Sequence, residues 1–527
     1  MDKSVVLIAE ELSPATVTAL GPDIEVRHCA GAGREALLAA LPEADAVLVR
    51  SATRMDAEAI AVATRLKVIG RAGVGLDNVD VAAATRAGVM VVNAPTSNIV
   101  SAAELTVGLL LAVARNIPQA DAALKEGQWQ RSRYTGVELS GKTLGIIGLG
   151  RIGSLVARRM EAFGMRLLAY DPYVQPEYAA QSGVRTTGLD ELLAEADFLT
   201  VHLPRTSETT GLIGFDALHK VKPGVRIVNA ARGGIVDEAE LYAALKEGRV
   251  AGAAVDVFAT EPCTDSPLFA LDNVVVTPHL GAGTAEAQER AGAVVAASVR
   301  QALSGRFVPE AVNVRMGAVD GELDPWLALT EQLGRLFTAT AGSLPRQLRV
   351  RADGEIAAHD TAALELAAVR GALGGVAEGV SYVNAPLIAQ ERGVGTELVS
   401  GPDSPVHRSL VTLSGVLPSG EEVSVAGTLT GLNSGRRLVE VCGFAVDLPL
   451  TGNVVFFRTS DRQGLFGAVT DALDGIPLTG LQIAHGSPAG NEVLLALSVG
   501  RPVAQEVLDD VATRIDATRG WSFEQSA

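Results

Sequence analysis

A glycine-rich turn between an apolar segment and a helical segment constrains the fold of this chain more than any other feature. Thr143–Ile147 is typical of a buried strand, and Gly148, Gly150 and Gly153 follow it at the spacing Gly-x-Gly-x-x-Gly. The first glycine permits a tight turn, the second lets a pyrophosphate approach the backbone, and the third lets the next helix pack closely on the strand. The phosphates of a dinucleotide would then meet free N–H groups at the start of a helix that we expect over 154–163.

An acidic residue follows the next predicted strand, Arg166–Tyr170. Asp171 comes eighteen residues after Gly153. A carboxylate there can accept hydrogen bonds from the adenosine ribose hydroxyls and would repel a 2′-phosphate, so the pattern predicts NAD rather than NADP. The alternative, a glycine-rich turn followed by a capping aspartate, leaves the register of strand, helix and acid unexplained.

The rest of the chain alternates between strand and helix patterns. Short apolar runs at 5–9, 25–28, 46–49, 68–70 and 90–92 are separated by helical stretches such as 35–41 and 81–87, and this rhythm recurs from 143 to about 278. Such a rhythm predicts parallel sheets covered by helices. The runs at 411–417, 422–429 and 438–448 predict antiparallel strands, and 454–523 reads strand, helix, strand, strand, helix, strand.

We therefore expect an α/β chain with two doubly wound parallel-sheet domains. An α+β domain and a small βαββαβ domain should follow. A long buried helix is expected over 101–115, with Ser101 and Glu104 forming a capping box.

Charge and cysteine content exclude several classes of protein. The net charge is −17, from 61 acidic and 44 basic residues, which disfavours nucleic acid and anionic membranes as partners. The three cysteines, Cys29, Cys263 and Cys442, are widely spaced and fit neither a disulfide framework nor a zinc site, so we expect no metal. The first eleven residues lack the features of a signal peptide, and we expect a cytoplasmic protein. An anionic substrate would need a local cluster of basic side chains.

Three polar residues follow three predicted strands downstream of the cofactor turn. Arg232 lies in Asn-Ala-Ala-Arg-Gly-Gly, Glu261 in Asp-Val-Phe-Ala-Thr-Glu-Pro, and His279 in Pro-His-Leu-Gly-Ala. Ligands of open parallel sheets bind at the carboxyl ends of the strands. Arg232 would hold a carboxylate, His279 would exchange a proton near neutrality, and Glu261 would orient the imidazole. Each residue alone is more often structural, but the set of three favours catalysis.

Two further arginines lie at predicted strand ends in the first domain. Arg50 stands in Val-Arg-Ser-Ala-Thr and Arg71 in Gly-Arg-Ala-Gly-Val-Gly-Leu-Asp-Asn. Because Arg232 already serves the carboxylate, two more arginines in the same cleft suit a phosphate. The alternative is that both pair with surface acids.

These motifs resemble those of the D-isomer-specific 2-hydroxy-acid dehydrogenases over roughly residues 1–310. The resemblance implies a Rossmann-type cofactor domain (98–286) inserted in a flavodoxin-like substrate domain (1–97 plus 287–315). Arg232, Glu261 and His279 fall on that family's catalytic positions. The two arginine segments and the length of the chain resemble the long phosphoglycerate dehydrogenases, which have an intervening domain (here 316–451) and an ACT regulatory domain (here 452–527). Asn98 matches the substrate-side loop of that group. The resemblance places cofactor contacts at Val74, Gly148, Gly150, Arg151, Ile152, Gly153, Asp171, Leu203, Ala230, Asp256, Gly281 and Ala282.

The resemblance implies NAD-dependent oxidation of 3-phospho-D-glycerate to 3-phosphohydroxypyruvate, the first step of L-serine synthesis, in a homodimer or homotetramer. One alternative keeps the chemistry and changes the substrate to another phosphorylated or 2-oxo acid such as 2-oxoglutarate. Another is a non-catalytic NAD-sensing regulator, which the three catalytic residues argue against; a structural scaffold would leave the cofactor motif unexplained. Thr459, Gln463 and Gly480 depart from the usual effector-side pattern of the ACT domain, so we hypothesise weak or absent feedback by L-serine.

Overall fold

The chain begins with a five-stranded parallel sheet. The computed structural model describes residues 3–29, 33–180, 183–306, 308–314, 322–431, 434–473, 475–486 and 491–524. The first unit has strands β1 (Ser4–Ile8), β2 (Ile24–His28), β3 (Ala46–Val49), β4 (Val68–Arg71) and β5 (Met90–Val92), and helices α1 (Pro14–Leu20), α2 (Gly33–Ala40), α3 (Ala57–Val62) and α4 (Val81–Arg86). The strand order is β2-β1-β3-β4-β5, the flavodoxin-like order.

A seven-stranded parallel sheet follows. Helices α5 (Ile99–Arg115) and α6 (Ile117–Lys125) lead into β6 (Thr143–Ile147), α7 (Arg151–Ala162), β7 (Arg166–Tyr170), α8 (Pro176–Ala180), β8 (Val184–Thr186), α9 (Leu189–Glu195), β9 (Phe198–Val201), α10 (Phe215–Lys220), β10 (Val225–Asn229), α11 (Glu238–Lys246), β11 (Val250–Val255) and β12 (Val274–Val276). The strand order is β12-β11-β10-β9-β6-β7-β8. The order reverses beside β6, so the glycine-rich turn lies at the switch point where open sheets bind ligands.

Helix α12 (Ala285–Leu303) returns the chain to the first sheet. Its small and branched residues Ala291, Val295 and Val299 are buried with Val6 and Leu48 of that sheet. Helices α2, α3 and α4 cover the opposite face. The first sheet is therefore closed on both sides by helices from two distant parts of the chain, as expected for a domain that carries an insertion.

The third unit is a six-stranded sheet with three helices. It contains α13 (Asp324–Ala341), β13 (Gln347–Gly354), α14 (Ala362–Gly374), α15 (Ala385–Glu391), β14 (Gly395–Gly401), β15 (Ser409–Val416), β16 (Glu422–Thr430), β17 (Gly435–Val441) and β18 (Phe444–Pro449). The order is β14-β13-β15-β16-β17-β18, with β13 and β14 parallel and the other pairs antiparallel.

Short 3-10 helices occur along the described chain at Leu41–Glu43, Arg131–Tyr134, Pro267–Ala270 and Glu355–Ala358.

The last unit has the βαββαβ order. Its elements are β19 (Asn453–Ser460), α16 (Leu465–Ala472), β20 (Leu478–His485), β21 (Glu492–Val499), α17 (Gln505–Arg514) and β22 (Arg519–Glu524), with sheet order β20-β21-β19-β22. One face of this sheet packs on α16 and α17. The other face, with Phe456 and Trp521, joins the apolar core of the third unit, and Trp521 Nε1 donates to Thr340 Oγ1 at 3.2 Å. The last sheet is thus buried on both faces.

The expected fold class is confirmed, while two local expectations are wrong. Helix α5 begins at Ile99, and Ser101 lies inside it with its hydroxyl 2.7 Å from Thr284 Oγ1 instead of capping it. The carboxylate of Glu104 pairs with Arg159 instead of closing a capping box. The run 438–448 is a hairpin, because Cys442 and Gly443 adopt left-handed φ angles of +50° and +81° and turn the chain.

The predicted domain boundaries stay predictions, and the one at 315/316 lies outside the described residues. In the described part of the chain, no single helix is both long and apolar enough to cross a membrane; only the pair α5 and α6, bent by 65°, meets that test when joined.

Candidate active site

The glycine-rich turn forms a cradle that side chains would fill. A Cβ on Gly148, whose φ is +96°, would lie 2.7 Å from the carbonyl oxygen of His202 and 2.8 Å from Leu203 Cδ2. A Cβ on Gly153 would lie 2.2 Å from the carbonyl oxygen of Gly148, whereas one on Gly150 would meet no atom within 4 Å. Two glycines are therefore needed for packing, and the third leaves open space above the turn.

Helix α7 begins directly at this open space. Gly150 is its N-cap residue and carries no capping side chain, so the N–H groups at Arg151 and Ile152 start the helix without a side-chain acceptor. Free N–H groups and the helix dipole together favour a phosphate. The backbone here fits the pyrophosphate of a dinucleotide, as the sequence predicts, with a helix that starts three residues earlier than expected.

Asp171 lies at the carboxyl end of β7, beside the turn. One of its oxygens accepts from the backbone N–H of Leu149 at 2.9 Å, and the other accepts from that of Tyr173 at 3.0 Å. Each carboxylate oxygen can accept a further hydrogen bond. The carboxylate is thus fixed in orientation and keeps acceptor capacity for ribose hydroxyls.

Asp256, after β11, organises the loop that carries the predicted base. Its side chain is fully buried and accepts from Thr277 Oγ1 at 2.6 Å, from Leu280 N at 2.7 Å and from Gly281 N at 3.0 Å. Burial raises the pKa of Asp256, and these hydrogen bonds offset only part of that effect. The carboxylate therefore anchors three donors of one loop.

Further predicted cofactor residues lie in loops that follow strands β4, β10 and β12. A Cβ on Gly281 would lie 3.6 Å from Asp256 Oδ2 and 4.0 Å from the carbonyl oxygen of Ala230, which places Ala230 and the neighbouring Ala282 beside that loop. Val74 belongs to the first sheet's loops, and its carbonyl oxygen accepts from Asn93 Nδ2 at 2.6 Å.

His279 and Glu261 form a hydrogen-bonded pair. Glu261 Oε2 accepts from His279 Nδ1 at 2.6 Å, and Glu261 Oε1 accepts from the backbone N–H of Phe258 at 2.9 Å. Burial pushes the pKa of Glu261 up, but the bonds from His279 and Phe258, with the nearby charge of Arg232, outweigh it and lower that pKa. Glu261 is thus an anion that fixes Nδ1. Among the described residues none hydrogen-bonds Nε2, which is left for a substrate.

Arg232 follows β10 in a turn held by Asn229. Asn229 Nδ2 donates to the carbonyl oxygen of Arg232 at 3.0 Å, and Asn229 Oδ1 accepts from Ala231 N at 3.2 Å. The guanidinium donates from Nη1 to the carbonyl oxygen of Ala231 at 2.8 Å. Its Nε lies 3.5 Å from Asp77 Oδ2, in the loop after β4.

Arg71 and Arg232 reach the same loop from different sheets. A Cβ on Gly73 would lie 1.7 Å from Arg71 Nη1, and one on Gly75 would lie 2.6 Å from Arg232 Nη2. Burial and the like charge of Arg232 lower the pKa of Arg71, and Arg50 acts in the same direction. The three arginines are therefore brought close together in a cleft between the sheets, as a phosphorylated carboxylate would require.

Two buried polar atoms in this region lack a partner. Within the described part of the chain, Arg71 Nε and Asn98 Oδ1 have no hydrogen-bond partner. Buried polar groups are normally paired, so unpaired ones at a cleft point to a ligand. Asn98 is also the N-cap residue of α5 but makes no side-chain cap.

Sequence reasoning did not single out two acids that lie beside these arginines. Glu10 Oε1 accepts from the backbone N–H groups of Arg50 and Thr53, both at 2.8 Å, and so holds the loop after β3. Asp77 contacts Arg232. Both follow strands of the first sheet, and the rule that located the arginines could have located them. Among the described residues, no three His, Cys, Asp or Glu side chains gather in a way that could hold a metal ion.

Two family models match this chain. The D-isomer specific 2-hydroxyacid dehydrogenase NAD binding domain matches residues 107–281, which include the glycine turn and all three predicted catalytic residues. The D-3-phosphoglycerate dehydrogenase intervening domain matches residues 322–442 in the third unit.

Similar proteins cover almost the whole length. A protein of Mycobacterium tuberculosis named D-3-phosphoglycerate dehydrogenase is 53% identical over 521 residues, 98% of this chain and 98% of its own. Another of that name from Archaeoglobus fulgidus is 41% identical over 97% of this chain and 98% of its own, and one from Rattus norvegicus is 41% identical over 84% and 85%.

Solved structures match more than half of the chain. The TT0316 protein of Thermus thermophilus is 36% identical with a TM-score of 0.55, over 58% of this chain and 99% of its own. A D-lactate dehydrogenase of Aquifex aeolicus, complexed with NAD and lactic acid, is 30% identical with a TM-score of 0.51, over 57% and 96%. Nearly the whole of each of these two proteins is therefore matched within this chain.

Proposed function

Because the chain belongs to the D-3-phosphoglycerate dehydrogenases, within the NAD-binding D-isomer specific 2-hydroxyacid dehydrogenases, we propose that it oxidises 3-phospho-D-glycerate to 3-phosphohydroxypyruvate. This is the first step of L-serine synthesis. The observation that carries the residue assignment is the His279–Glu261 pair with the charge of Arg232 nearby. The cofactor is NAD.

The protein groups divide the work of binding between the two ends of the substrate. Arg232 holds the carboxylate and the oxygen on C2, since its planar fork matches an oxygen pair. Arg50 and Arg71 hold the phosphate, and the unpaired Asn98 Oδ1 and Arg71 Nε take up polar contacts with the substrate. The substrate is thereby fixed with C2 towards the cofactor side of the cleft.

The proton of the C2 hydroxyl passes to Nε2 of His279. Bound NAD⁺ supplies the hydride acceptor for the hydrogen on C2. Glu261 keeps a proton on Nδ1 and stabilises the imidazolium after transfer, so that Nε2 is the acceptor at the start. In the reverse direction the same imidazolium returns the proton to the carbonyl oxygen. The products balance as 3-phosphohydroxypyruvate, NADH and a proton.

The glycine turn and its surroundings hold the cofactor. Gly148, Gly150, Gly153, Arg151 and Ile152 cradle the pyrophosphate, and Asp171 binds the adenosine ribose. Val74, Leu203, Ala230, Asp256, Gly281 and Ala282 line the remainder of the cofactor site.

We assign a role to each unit of the chain in the same way. The first sheet with α12 (1–97 plus 287–315) binds substrate, and 98–286 binds NAD. The third unit (316–451) is the intervening domain, and 452–527 is an ACT regulatory domain. Three free cysteines fit a cytoplasmic location.

We also infer that the protein forms a homodimer or a homotetramer. Large apolar side chains are exposed along α5, α6 and the loop after them: Val100, Ile117, Leu124 and Trp129, the last 77% exposed. Clustered exposed apolar side chains mark interaction surfaces. Sedimentation of wild type and Trp129→Ala tests this; a monomeric wild type contradicts it.

Steady-state kinetics test the substrate and the residues. We expect 3-phosphohydroxypyruvate with NADH to be turned over well, 2-oxoglutarate poorly, and His279→Gln to lose most of kcat while still binding NADH. Arg71→Ala should raise KM for the phosphorylated substrate, whereas Arg514→Ala, whose exposed partner is Asp510 in the last unit, should not. A preference for an unphosphorylated acid would reject the proposed substrate in favour of another 2-oxo acid. No NADH consumption at all would reject the enzyme in favour of a non-catalytic regulator.

A further inference from the structure

The carboxylate of Asp77 lies against the guanidinium that the proposed function assigns to the substrate carboxylate. Asp77 Oδ2 is 3.5 Å from Arg232 Nε, and Arg232 Nη1 donates to the carbonyl oxygen of Ala231. A guanidinium binds a carboxylate bidentately through one edge of neighbouring N–H groups. Asp77 stands at one such edge, and the Ala231 carbonyl holds an N–H at the other. The carboxylate of Asp77 therefore lies where a ligand carboxylate would bind.

The loop after β4 is shaped so that this contact can form. A Cβ on Gly75 would lie 2.6 Å from Arg232 Nη2 and 2.8 Å from Asp77 Oδ2, so any other residue there would separate the two charges. Gly73, two residues earlier, makes the corresponding room for Arg71 Nη1. The loop thus places one carboxylate within reach of two guanidinium groups.

The ion pair between Asp77 and Arg232 is weak enough for another carboxylate to replace Asp77. The Asp77 side chain is 56% exposed, and the pair meets at 3.5 Å, longer than a charge-assisted hydrogen bond. Water and salt screen such exposed pairs, which makes them weak. A substrate carboxylate that meets the same guanidinium bidentately in the cleft forms the stronger contact and can displace Asp77.

Asp77 also lowers the net positive charge of the cleft. Three arginines line the cleft, and Glu10, Asp77 and Glu261 bring its net charge to about 0, whereas without Asp77 it would be about +1 by the same count. A more positive cleft holds small inorganic anions, substrate and product more tightly.

We propose that Asp77 is a counter-ion of Arg232, which the substrate carboxylate displaces and which lowers the affinity of the cleft for other anions. Asp77 acts through Arg232 and is a positioning residue. The inference rests on the proposed function for the role of Arg232, but its effect on inorganic anions does not depend on which acid is the substrate.

The test removes the charge of Asp77 while leaving its size nearly unchanged. In Asp77→Asn, KM for 3-phosphohydroxypyruvate and the inhibition constant for sulfate should each fall about two- to five-fold at fixed ionic strength, the range expected for an exposed ion pair. Asp77→Glu should restore values near the wild type. Asp510→Asn, which removes an equally exposed acid paired with Arg514 in the last unit, should change neither constant.

A double variant separates this role from a structural one. In an Arg232→Lys background, whose point charge cannot bind bidentately, Asp77→Asn should lower KM less than it does in the wild type. A KM or a sulfate constant that stays unchanged or rises in Asp77→Asn overturns the proposal. If Asp77→Asn does not fold, judged by NADH binding and thermal unfolding, Asp77→Ser decides in the same way.

Sulfate also distinguishes this inference from the proposed function. If the wild type does not turn over 3-phosphohydroxypyruvate, the proposed function fails, yet sulfate should still raise the unfolding temperature of Asp77→Asn more than that of the wild type. Equal stabilisation of the two proteins by sulfate would reject the counter-ion alone.

Discussion

Replacing Glu261 by glutamine should impair proton transfer in a way that the structure makes specific. The two carboxylate oxygens serve two donors, His279 Nδ1 and the backbone N–H of Phe258. Glutamine has one acceptor oxygen and one donor nitrogen, so it cannot serve both. If its oxygen keeps the Phe258 N–H, its NH₂ group faces Nδ1 and selects the tautomer whose Nε2 already carries the proton.

The size of the effect follows from the geometry. A hydrogen bond to a charged group contributes about 1.5–3 kcal/mol, and the side chains of Glu261 and His279, 34% and 43% exposed, place this one at the lower end. About 1.4 kcal/mol corresponds to a factor of ten, so kcat/KM for oxidation should fall at least about tenfold. The wrong tautomer adds to that loss in the oxidation direction, where Nε2 must accept a proton.

Initial rates of NADH formation from 3-phospho-D-glycerate at a fixed pH measure this. Glu247→Gln, which changes an exposed acid that pairs with Arg249, is the matched control. A Glu261→Gln enzyme with kcat/KM within twofold of the wild type would refute the reasoning.

Three other changes have defined outcomes. Gly150→Ala should fold normally and lose NADH affinity. Gly153→Ala should also lower the unfolding temperature, because its Cβ would lie 2.2 Å from a carbonyl oxygen. Equal unfolding temperatures of the two variants, measured by calorimetry, would contradict this prediction. Asp256→Asn should lose about 1–3 kcal/mol of stability in denaturant titrations, because one amide oxygen cannot accept from all three donors. An unchanged unfolding midpoint would contradict the role of Asp256 in holding the His279 loop. L-Serine should inhibit the enzyme weakly, because Thr459 is buried and donates to the carbonyl oxygens of Ile515 and Asp516 instead of facing an effector. Strong inhibition below millimolar serine in an activity titration would contradict this prediction.

The parts of the site that sequence predicts are those set by local chain geometry. The strand, the Gly148 turn and helix α7 are contiguous, and their residue types have one structural explanation. His279 and Glu261 are eighteen residues apart, but each directly follows a parallel strand, and neighbouring parallel strands end at the same edge of the sheet. Their pairing could therefore be expected from order alone.

The parts that sequence does not predict depend on contacts between distant segments. Ser101 has the composition of a helix cap, yet it hydrogen-bonds Thr284, 183 residues away. The contact of Asp77 with Arg232 joins two sheets, and no local pattern indicates it. The sequence does not predict the hairpin turn at Cys442, because cysteine seldom adopts a left-handed φ.

The shared core of the last two units has a consequence for stability. Phe456 and Trp521 of the final sheet lie in the same apolar core as helix α13 and strand β18, so separating the two units would expose that core to water. The two units should therefore unfold together in one cooperative transition. A small molecule that binds the last unit would then raise the unfolding temperature of both units together.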